Sequence, residues 1–322
     1  MTALRTFTGI GEAAGLPGPL HLAIGMFDGL HLGHQSVIEA CLHSAARAGG
    51  SAAVLSFWPH PSALMNPERR TRMMMPPAVK RQVLARLGVV ALIEQPFTEA
   101  FGAIPAEDFL PMLRAALPAL SAVYVGENWR FGAGRKGDVS LLLASAVRLG
   151  VSVFSAPRVH FNGEPISSSR IRASLASGDM ASVNALLGYS YFARGCTSQG
   201  RQLGRTIGFP TLNLAWQPEL APAFGVYAVR VASAASFDAG VPLWHPAIAN
   251  YGMRPTIGGA LEPLLESHLL GECPFGYGDE IVVEWLRFVR PERRFPGLQE
   301  LKLQIQEDTR KVSEDFRLQA PL

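Results

Sequence analysis

The decapeptide "GMFDGLHLGH", residues 25–34, marks the point where a predicted strand turns into a predicted helix. The segment "LHLAI" before it is apolar enough for a short buried strand. The segment "QSVIEACLHSAARAGG" after it has apolar residues at helical spacing up to a Gly-Gly stop. Its two histidines, His31 and His34, therefore lie at a helix N-terminus, where backbone N–H groups and the helix dipole favour a phosphate.

The first half of the chain alternates short apolar runs with helical patterns. The predicted strands cover 20–25, 51–57, 89–95, 122–127 and 151–157. The predicted helices cover 34–48, 77–87, 106–117 and 138–149. Such alternation is typical of a doubly wound, Rossmann-like parallel sheet, which binds its ligand at the carboxyl ends of the strands.

The sequence pattern changes after about residue 187, where helical periodicity becomes rare. Strand-like segments separated by Gly and Pro, namely "GVYAVRVAS", "HPAIANYG" and "EIVVEWLRFV", predict an antiparallel β-barrel, and residues 297–316 predict an amphipathic C-terminal helix. We expect the junction at "LLGYSY", which gives an α/β domain over 1–187 and a β-barrel domain over 188–322.

Composition restricts the class of protein. The 322 residues are 48% hydrophobic and 17% charged, as in a globular protein, and the formal net charge of +3 is too small to indicate nucleic-acid binding. Three scattered cysteines show neither metal spacing nor a disulfide framework, which suits the cytoplasm. We see no signal core and no run of about 18 apolar residues, so we expect no membrane partner.

The histidine pair by itself permits three interpretations. Histidines are most often surface or structural residues, and two of them could also bind a metal, although no third ligand lies nearby at metal spacing. Phosphate binding is favoured by the surrounding glycines, which allow the backbone to approach a ligand closely. Phosphoryl and nucleotidyl transfer depend mainly on positioning and on neutralising negative charge.

The whole decapeptide resembles the G-x-F-D-G-x-H-x-G-H signature of the FAD synthetase domain in bacterial bifunctional riboflavin kinase/FMN adenylyltransferases. The short H-x-G-H core also occurs in cytidylyltransferases and class I aminoacyl-tRNA synthetases. Three further matches follow in the family's order: "SFWPHP" (56–61), "VGENWRFGAGRKGD" (125–138) and "ISSSRIR" (166–172).

The resemblance implies roles for individual residues of the first domain. His31 and His34 would contact the ATP phosphates and stabilise the transition state, and Asn128 would hold the adenylate or flavin phosphate. The residues expected to shape the nucleotide pocket are Gly25, Phe27, Asp28 and Gly33. Those expected to bind the departing pyrophosphate are Ser168, Ser169 and Arg172, of which Ser169 replaces the family's usual threonine.

The segment "GRQLGRTIGFPTLNL" (200–214) is either a glycine-rich hairpin or a second phosphate site. It is not a Walker A loop, but it resembles the riboflavin kinase motif G-x-x-x-G-R-x-x-G-F-P-T-A-N. The resemblance implies that Thr211 and Asn213 hold Mg²⁺ and that Glu266, in "ESHLL", accepts the proton of the ribityl hydroxyl. The residues expected to contact ATP phosphates in this motif are Gly204, Arg205 and Pro210.

Departures from the family pattern cluster in the second domain. Gly271 and Phe275 stand where the family has aspartates, and Thr197 and Ser198 stand where it has paired valines. These changes predict a weakened kinase.

The resemblance implies an enzyme that phosphorylates riboflavin to FMN and adenylylates FMN to FAD, with Mg²⁺ and ATP. Two alternatives stay open: an FMN adenylyltransferase alone, and a flavin- or nucleotide-binding regulatory protein with little turnover. A tRNA synthetase is disfavoured by the near-neutral charge and by the missing anticodon-binding module.

Overall fold

The computed structural model of the chain describes residues 4–200, 204, 207–255 and 261–319. The chain divides into two compact units, residues 1–168 and 169–322. The boundary expected from the sequence lies after the two helices that open the second unit.

A six-stranded parallel sheet forms the centre of the described part of the first unit. Its strands are β1 (Arg5–Phe7), β2 (Leu20–Ile24), β3 (Ser51–Trp58), β4 (Ala91–Pro96), β5 (Leu120–Gly126) and β6 (Ser152–Ala156). They are ordered β1-β4-β3-β2-β5-β6. A small hairpin follows, formed by β7 (His160–Phe161) and β8 (Glu164–Pro165).

Helices connect the strands of this sheet. They are α1 (Leu32–Arg47), α2 (Pro61–Met65), α3 (Pro77–Arg86), α4 (Glu99–Gly102), α5 (Ala106–Ala116) and α6 (Val139–Leu149). Short 3₁₀ turns lie at Ile10–Ala13, Asp28–Leu30, Pro67–Arg69 and Ala133–Arg135. The Rossmann-like parallel sheet and the four predicted helices are therefore confirmed, with small differences at their ends.

The central strand β2 explains why the sheet has this architecture. All five of its residues are buried, which requires cover on both faces and hence helices on both sides. From β2 the chain moves outward through β3 and β4 on one side, and through β5 and β6 on the other. The gap between the carboxyl ends of β2 and β5 is therefore the topological switch point, where open α/β sheets bind ligands.

The second unit contains a closed six-stranded antiparallel barrel, as predicted. Its described elements are α7 (Ser168–Ser177), which begins at the last residue of the first unit, α8 (Met180–Leu187), β9 (Phe192–Ser198), β10 (Leu212–Leu214), β11 (Gly225–Ser233), α9 (Ala234–Asp238), β12 (His245–Pro255), β13 (Leu261–Leu269), β14 (Glu280–Pro291) and α10 (Leu298–Gln319). The strand order is β10-β13-β12-β11-β14-β9, and β9 pairs with β10 to close the barrel.

Large aromatic side chains fill the barrel interior. Trp285, Tyr227 and Tyr251 are fully buried, and the rings of Tyr227 and Trp285 meet edge to face with centroids 4.7 Å apart. The C-terminal helix α10 packs its buried Val312 against Val226 and its neighbours on the outside of the barrel. Among the described helices, none is both long enough and apolar enough to cross a membrane.

Two candidate active sites

The two predicted histidines stack on each other at the start of α1. His31 is the N-cap residue, and its Nδ1 accepts a hydrogen bond of 3.2 Å from the backbone N–H of His34. The two imidazole centroids lie 3.6 Å apart, with an interplanar angle of 16°. Because Nδ1 of His31 is an acceptor, the neutral ring carries its proton on Nε2, which is able to donate to an anion.

The turn that presents this pair has an unusual backbone. Phe27 has φ 49° and Leu30 has φ 41°, both in the left-handed region, which costs roughly 1–2 kcal/mol for each residue with a Cβ. The turn is therefore held by other contacts. The ring of Phe27 meets His34 edge to face at 5.4 Å, and Gln35 Nε2 donates to the carbonyl of Leu30 at 2.7 Å.

Two glycines of the signature have a packing reason to lack a side chain. A Cβ on Gly25 would lie 3.0–3.3 Å from the ring of Phe27. A Cβ on Gly33 would lie 3.3 Å from the ring of His31. Both glycines therefore allow the neighbouring ring to lie close to the backbone.

The side chain of Asp28 stabilises the signature turn. Its side chain is buried, and its two carboxylate oxygens accept the backbone N–H of Met74 at 3.0 and 3.3 Å. This carboxylate therefore joins the signature turn to the segment that precedes α3.

Asn128 lies just beyond the carboxyl end of β5, whereas the histidine turn follows β2. The two strands are neighbours in the sheet, so these segments flank the topological switch point. Asn128 is exposed, and its Nδ2 donates to Glu127 Oε1 at 3.2 Å. Its amide thus lies at the surface near the edge where a ligand would bind.

The expected pyrophosphate residues lie in the first turns of α7. Ser168 and Arg172 are half-buried and Ser169 is exposed. The division into units separates Ser168 from Ser169 and Arg172, which belong to the second unit.

A cavity of about 990 Å³ opens in the second unit. Apolar side chains from β11, β12 and α10 line part of it, including Val226, Ile248 and Ile305. The polar lining contains two expected metal ligands and the expected base together with three further polar residues: Thr211, Asn213, Asn250, Arg254, Glu266 and Glu292.

Strand register brings the expected kinase residues together. Asn213 on β10 lies directly opposite Glu266 on β13, which in turn lies opposite Asn250 on β12. Asn213 is buried, and a Cβ on Gly200 would lie 2.5–2.8 Å from its amide, so Gly200 leaves room for that side chain.

The glycine-rich segment before β10 is compact where it is described. Gly204 accepts the backbone N–H of Phe209 at 2.7 Å, and a Cβ on Gly204 would overlap the carbonyl of Phe209. The carbonyl of Pro210 is hydrogen bonded to His268 Nδ1 at 2.8 Å. Arg205, the other expected phosphate ligand here, lies outside the described residues.

An ion-pair network around the expected base was not anticipated from the sequence. Arg254 Nε donates to Glu266 Oε2 at 2.9 Å, and Arg254 Nη1 donates to Glu292 Oε1 at 3.0 Å. Asn250 Nδ2 donates to the same Glu292 oxygen at 3.1 Å. Burial alone would lower the pKa of Arg254, but the two carboxylates raise it more.

A signal for this network is present in "NYGMRPT". Asn250, Gly252 and Arg254 alternate along β12, so their side-chain positions share one face. A Cβ on Gly252 would overlap the carboxylate of Glu292, so the glycine creates the space that Glu292 occupies.

Magnesium suits the donors that the resemblance implies. Thr211 offers a hydroxyl and Asn213 an amide oxygen, both hard ligands, and both line the cavity. No group of three His, Cys, Asp or Glu side chains suited to a metal occurs among the described residues.

The altered loop of the second unit does not line the cavity in the part of the chain that the structure describes. It is fixed to β9 instead, since the hydroxyl of Thr197 donates to the carbonyl of Gly276. Gly276 N–H in turn donates to Asp279 Oδ2 at 2.8 Å.

Comparison with known proteins identifies both halves. The model of the FAD synthetase family matches residues 16–170, and that of the riboflavin kinase family matches residues 187–316. The crystal structure of a protein described as a macrolide-efflux protein from Streptococcus pneumoniae superposes with a TM-score of 0.83 and 26% identity, covering 97% of this chain and 99% of that one. That description concerns the streptococcal protein, whose fold the present chain shares.

Two curated relatives cover nearly the whole chain. The bifunctional riboflavin kinase/FMN adenylyltransferase of Escherichia coli (strain K12) is 34% identical over 300 residues, which span 93% of this chain and 94% of the relative. The protein of the same name from Bacillus subtilis (strain 168) is 32% identical over 300 residues, or 92% of each chain. The chain therefore belongs to the bifunctional riboflavin kinase/FMN adenylyltransferase family.

Proposed function

We propose that this protein carries out two consecutive transfers from ATP. The second unit phosphorylates riboflavin to FMN, and the first unit transfers AMP to FMN, giving FAD and pyrophosphate. The observation that carries the proposal is the stacked histidine pair on a helix N-terminus, placed beside the switch point of a parallel sheet. We further propose that the boundary between the two catalytic domains lies after residue 187 and that the protein is cytoplasmic.

The first unit would act by positioning and charge stabilisation. A phosphate oxygen of FMN attacks the α-phosphorus of ATP, and the bond from that phosphorus to the pyrophosphate oxygen breaks. Negative charge grows on the phosphate oxygens during this step, so N–H donors aimed at them lower the barrier. Nε2–H of His31, the ring of His34 and the helix N-terminus supply such donors and a favourable field.

Other residues would complete this first site. Asn128, beside the switch point, would donate its amide to a phosphate of the adenylate or of the flavin. Ser168, Ser169 and Arg172 on α7 would bind the leaving pyrophosphate, since hydroxyls and a guanidinium are suitable anion ligands.

The second unit would act by general-base catalysis. The primary hydroxyl of riboflavin attacks the γ-phosphorus of ATP, Glu266 accepts the hydroxyl proton, and ADP leaves. Glu266 lies beside Asn213 in the strand register, which supports this assignment. The apolar lining from β11, β12 and α10 would receive the flavin ring, and Gly204 and Pro210 would lie against ATP phosphates.

Magnesium belongs to the same proposal. Thr211 and Asn213 would hold it in the second unit, and a bound Mg²⁺ neutralises part of the phosphate charge. Asn213 lies directly opposite Glu266 in the strand register, and Thr211 lines the same cavity, so the phosphates and the proton acceptor would lie close together.

A separation of activities tests this division of labour. The purified chain is incubated with ATP, Mg²⁺ and either riboflavin or FMN, and the flavins are separated by chromatography. His34→Ala should lower FMN-to-FAD conversion roughly a hundredfold, or about 3 kcal/mol of transition-state stabilisation, with riboflavin phosphorylation unchanged. Glu266→Gln should lower riboflavin phosphorylation and leave FMN-to-FAD conversion unchanged.

Each variant is the control for the other, because both reactions are measured on one polypeptide. Wild-type FAD formation in His34→Ala and His31→Ala would contradict the first assignment. Robust FMN formation in Glu266→Gln would remove Glu266 from the mechanism. Absence of FMN from the wild-type protein would favour an adenylyltransferase with an inactive second unit.

A further inference from the structure

The signature turn is held in place by a buried lysine that no motif of the sequence identifies. Lys80 lies on α3, and its Nζ donates to the carbonyl of Met26 at 2.9 Å and to Ser56 Oγ at 3.1 Å. The hydroxyl of Ser56 donates to the same Met26 carbonyl at 3.1 Å. Three groups from α3, β3 and the turn therefore form a closed hydrogen-bonded triangle.

This hydrogen-bonded triangle holds the residue next to Phe27, one of the two non-glycine residues of the turn with a left-handed backbone. Met26 immediately precedes Phe27, whose φ of 49° lies in the left-handed region. Phe27 in turn places its ring edge against His34, which stacks on His31. The carbonyl that Lys80 binds is thus linked by one peptide bond and two ring contacts to both histidines.

Burying the charged side chain of Lys80 costs free energy of folding, so its presence here indicates that the ammonium group has a role. Its side chain is only 3% exposed, and an apolar residue would fill the same space without the desolvation of an ammonium group. Burial lowers the pKa of Lys80, whereas the carboxylates of Asp28 and Glu94 oppose that shift. Asp28 is itself buried in the turn, so the ammonium lies in a site with opposite charge nearby.

We propose that Lys80 is a positioning residue for adenylyl transfer, which holds the Met26 carbonyl and thereby sets the placement of the His31–His34 pair. It contacts no reacting atom in this arrangement. The inference rests on the proposed function of the first unit and adds a determinant of its rate. Displacement of catalytic groups by about 1 Å is enough to slow a reaction about a hundredfold.

The test replaces Lys80 with Met, which keeps the length and removes the charge and the donors. We expect Lys80→Met to lower kcat for FMN adenylylation roughly 10- to 100-fold, with the KM for ATP within about threefold of wild type. The reverse reaction, from FAD and pyrophosphate, should slow by the same factor, since both directions share one transition state. Riboflavin phosphorylation by the same polypeptide should be unchanged.

Arg81→Met is the matched control. Arg81 is the next residue on α3, is half-buried, and pairs with Glu94 at 2.8 Å. We expect its adenylylation kcat to lie within about twofold of wild type, since this pair joins α3 to β4 and donates nothing to the Met26 carbonyl. An equal loss of kcat in both variants would show that removing any positive charge from α3 slows the reaction, which would overturn the proposal.

A second variant covers the case in which Lys80→Met disrupts the fold of the first unit. Ser56→Ala removes one of the two donors to Met26 and leaves the lysine, so kcat should fall about three- to tenfold with little change in thermal midpoint. Wild-type kcat in folded Lys80→Met, or in Ser56→Ala if the lysine variant is unfolded, would overturn the proposal. If the wild-type chain itself forms no FAD from FMN, the proposed function fails, and this inference fails with it.

Discussion

The hydroxyl of Thr197 donates a hydrogen bond of 2.6 Å to the carbonyl oxygen of Gly276. The backbone of Thr197 also pairs with the same loop, donating to the carbonyl of Asp279 and accepting from the N–H of Gly278, each at 2.9 Å. The resemblance to the riboflavin kinase family leads us to expect a valine at position 197 and aspartates at positions 271 and 275. Thr197 is therefore hydrogen bonded to the loop that contains Gly271 and Phe275, and it stabilises that loop through Gly276, Gly278 and Asp279.

The contribution of this contact is measurable with Thr197→Val, which restores the usual family residue. Thr197 is buried, so losing its hydroxyl leaves the Gly276 carbonyl without this donor and should cost about 1 kcal/mol. For a unit of this size the thermal midpoint of the second unit should fall by about 2–4 °C. Calorimetry measures the midpoint.

Ser198→Val provides the control for that experiment, because the neighbouring hydroxyl donates to the carbonyl of Asn213 at the long distance of 3.4 Å. Its midpoint should stay within about 1 °C of wild type. We also expect Thr197→Val to keep its riboflavin kinase kcat. A collapse of kinase activity at unchanged stability would show that the loop acts on the reaction.

The Arg254 network leads to a prediction about Gly252. In Gly252→Ala the new methyl group displaces the Glu292 carboxylate, so the guanidinium of Arg254 binds Glu266 alone. A base held more firmly in an ion pair accepts a proton less readily, and we expect the kinase kcat to fall about tenfold. Initial rates of FMN formation measure it.

Gly271→Ala is the matched glycine variant, since a Cβ there meets nothing within 4 Å. Its kinase kcat should match wild type, and adenylylation should be unaffected in both variants. Unchanged kinase activity in Gly252→Ala would show that Glu292 has no influence on the base.

Both reactions should need Mg²⁺, but only the kinase should depend on Thr211 for it. Excess EDTA is expected to stop both reactions, since each uses ATP phosphates whose charge Mg²⁺ neutralises. Thr211→Val removes one proposed ligand without changing the side-chain shape, so the Mg²⁺ concentration for half-maximal kinase activity should rise roughly tenfold. The Mg²⁺ dependence of adenylylation on the same polypeptide should not move, and a parallel shift of both would argue against Thr211 as a ligand.

Acid should destabilise the first unit through His21. This residue is buried on β2, its Nδ1 lies 2.8 Å from the hydroxyl of Tyr124, and burial lowers its pKa below the ordinary value of about 6.5. The unfolded chain therefore binds a proton at a higher pH than the folded chain does. Stability should be fully present above pH 6.5 and should decrease as the pH falls below it.

Urea unfolding at several pH values between 7.5 and 5 tests this sign. The slope of stability against pH should be smaller in His21→Gln, whereas His43→Gln, at an exposed position on α1, should keep the wild-type slope. Identical slopes in the wild type and in His21→Gln would refute the assignment.

Local patterns were sufficient to predict most of this fold. The buried run that became β2, the helix that follows it, and the alternation of strands with helices required only short-range periodicity and a Gly-Gly stop. Most of the strands that were not predicted are short or irregular: β1 and β10 have three residues each, β7 and β8 have two each, and β9 contains a glycine and several polar residues. The nine-residue strand β13 was also missed; it contains Pro263 and two glutamates, which are uncommon in strands.

The missed site residues depend on contacts between distant segments. Lys80 joins β3 and the signature turn, which are 24 and 54 residues away in the chain, and Glu292 meets Arg254 across 38 residues. The pattern in "NYGMRPT" places Asn250 and Arg254 on one face of β12, but the sequence does not show that Glu292 is their partner. A single lysine among the buried apolar positions of α3 was the available signal, since helices rarely bury a charge without a partner.

Helix α7 has a consequence for any attempt to separate the two enzymes. The chain divides within its first turn, and the carbonyl of Leu175 near its end accepts the N–H of Ala223 in the second unit. In α8, Asn184 binds the backbone of both Tyr191 and Trp285. The peptide that would bind pyrophosphate for one enzyme therefore folds with the other. A protease cut or gene split after residue 168 would leave the adenylyltransferase without Ser169 and Arg172, and a split after residue 187 would remove two helices from the barrel's own packing. If Ser169 and Arg172 bind pyrophosphate as proposed, loss of the kinase half would also remove residues that the adenylyltransferase needs.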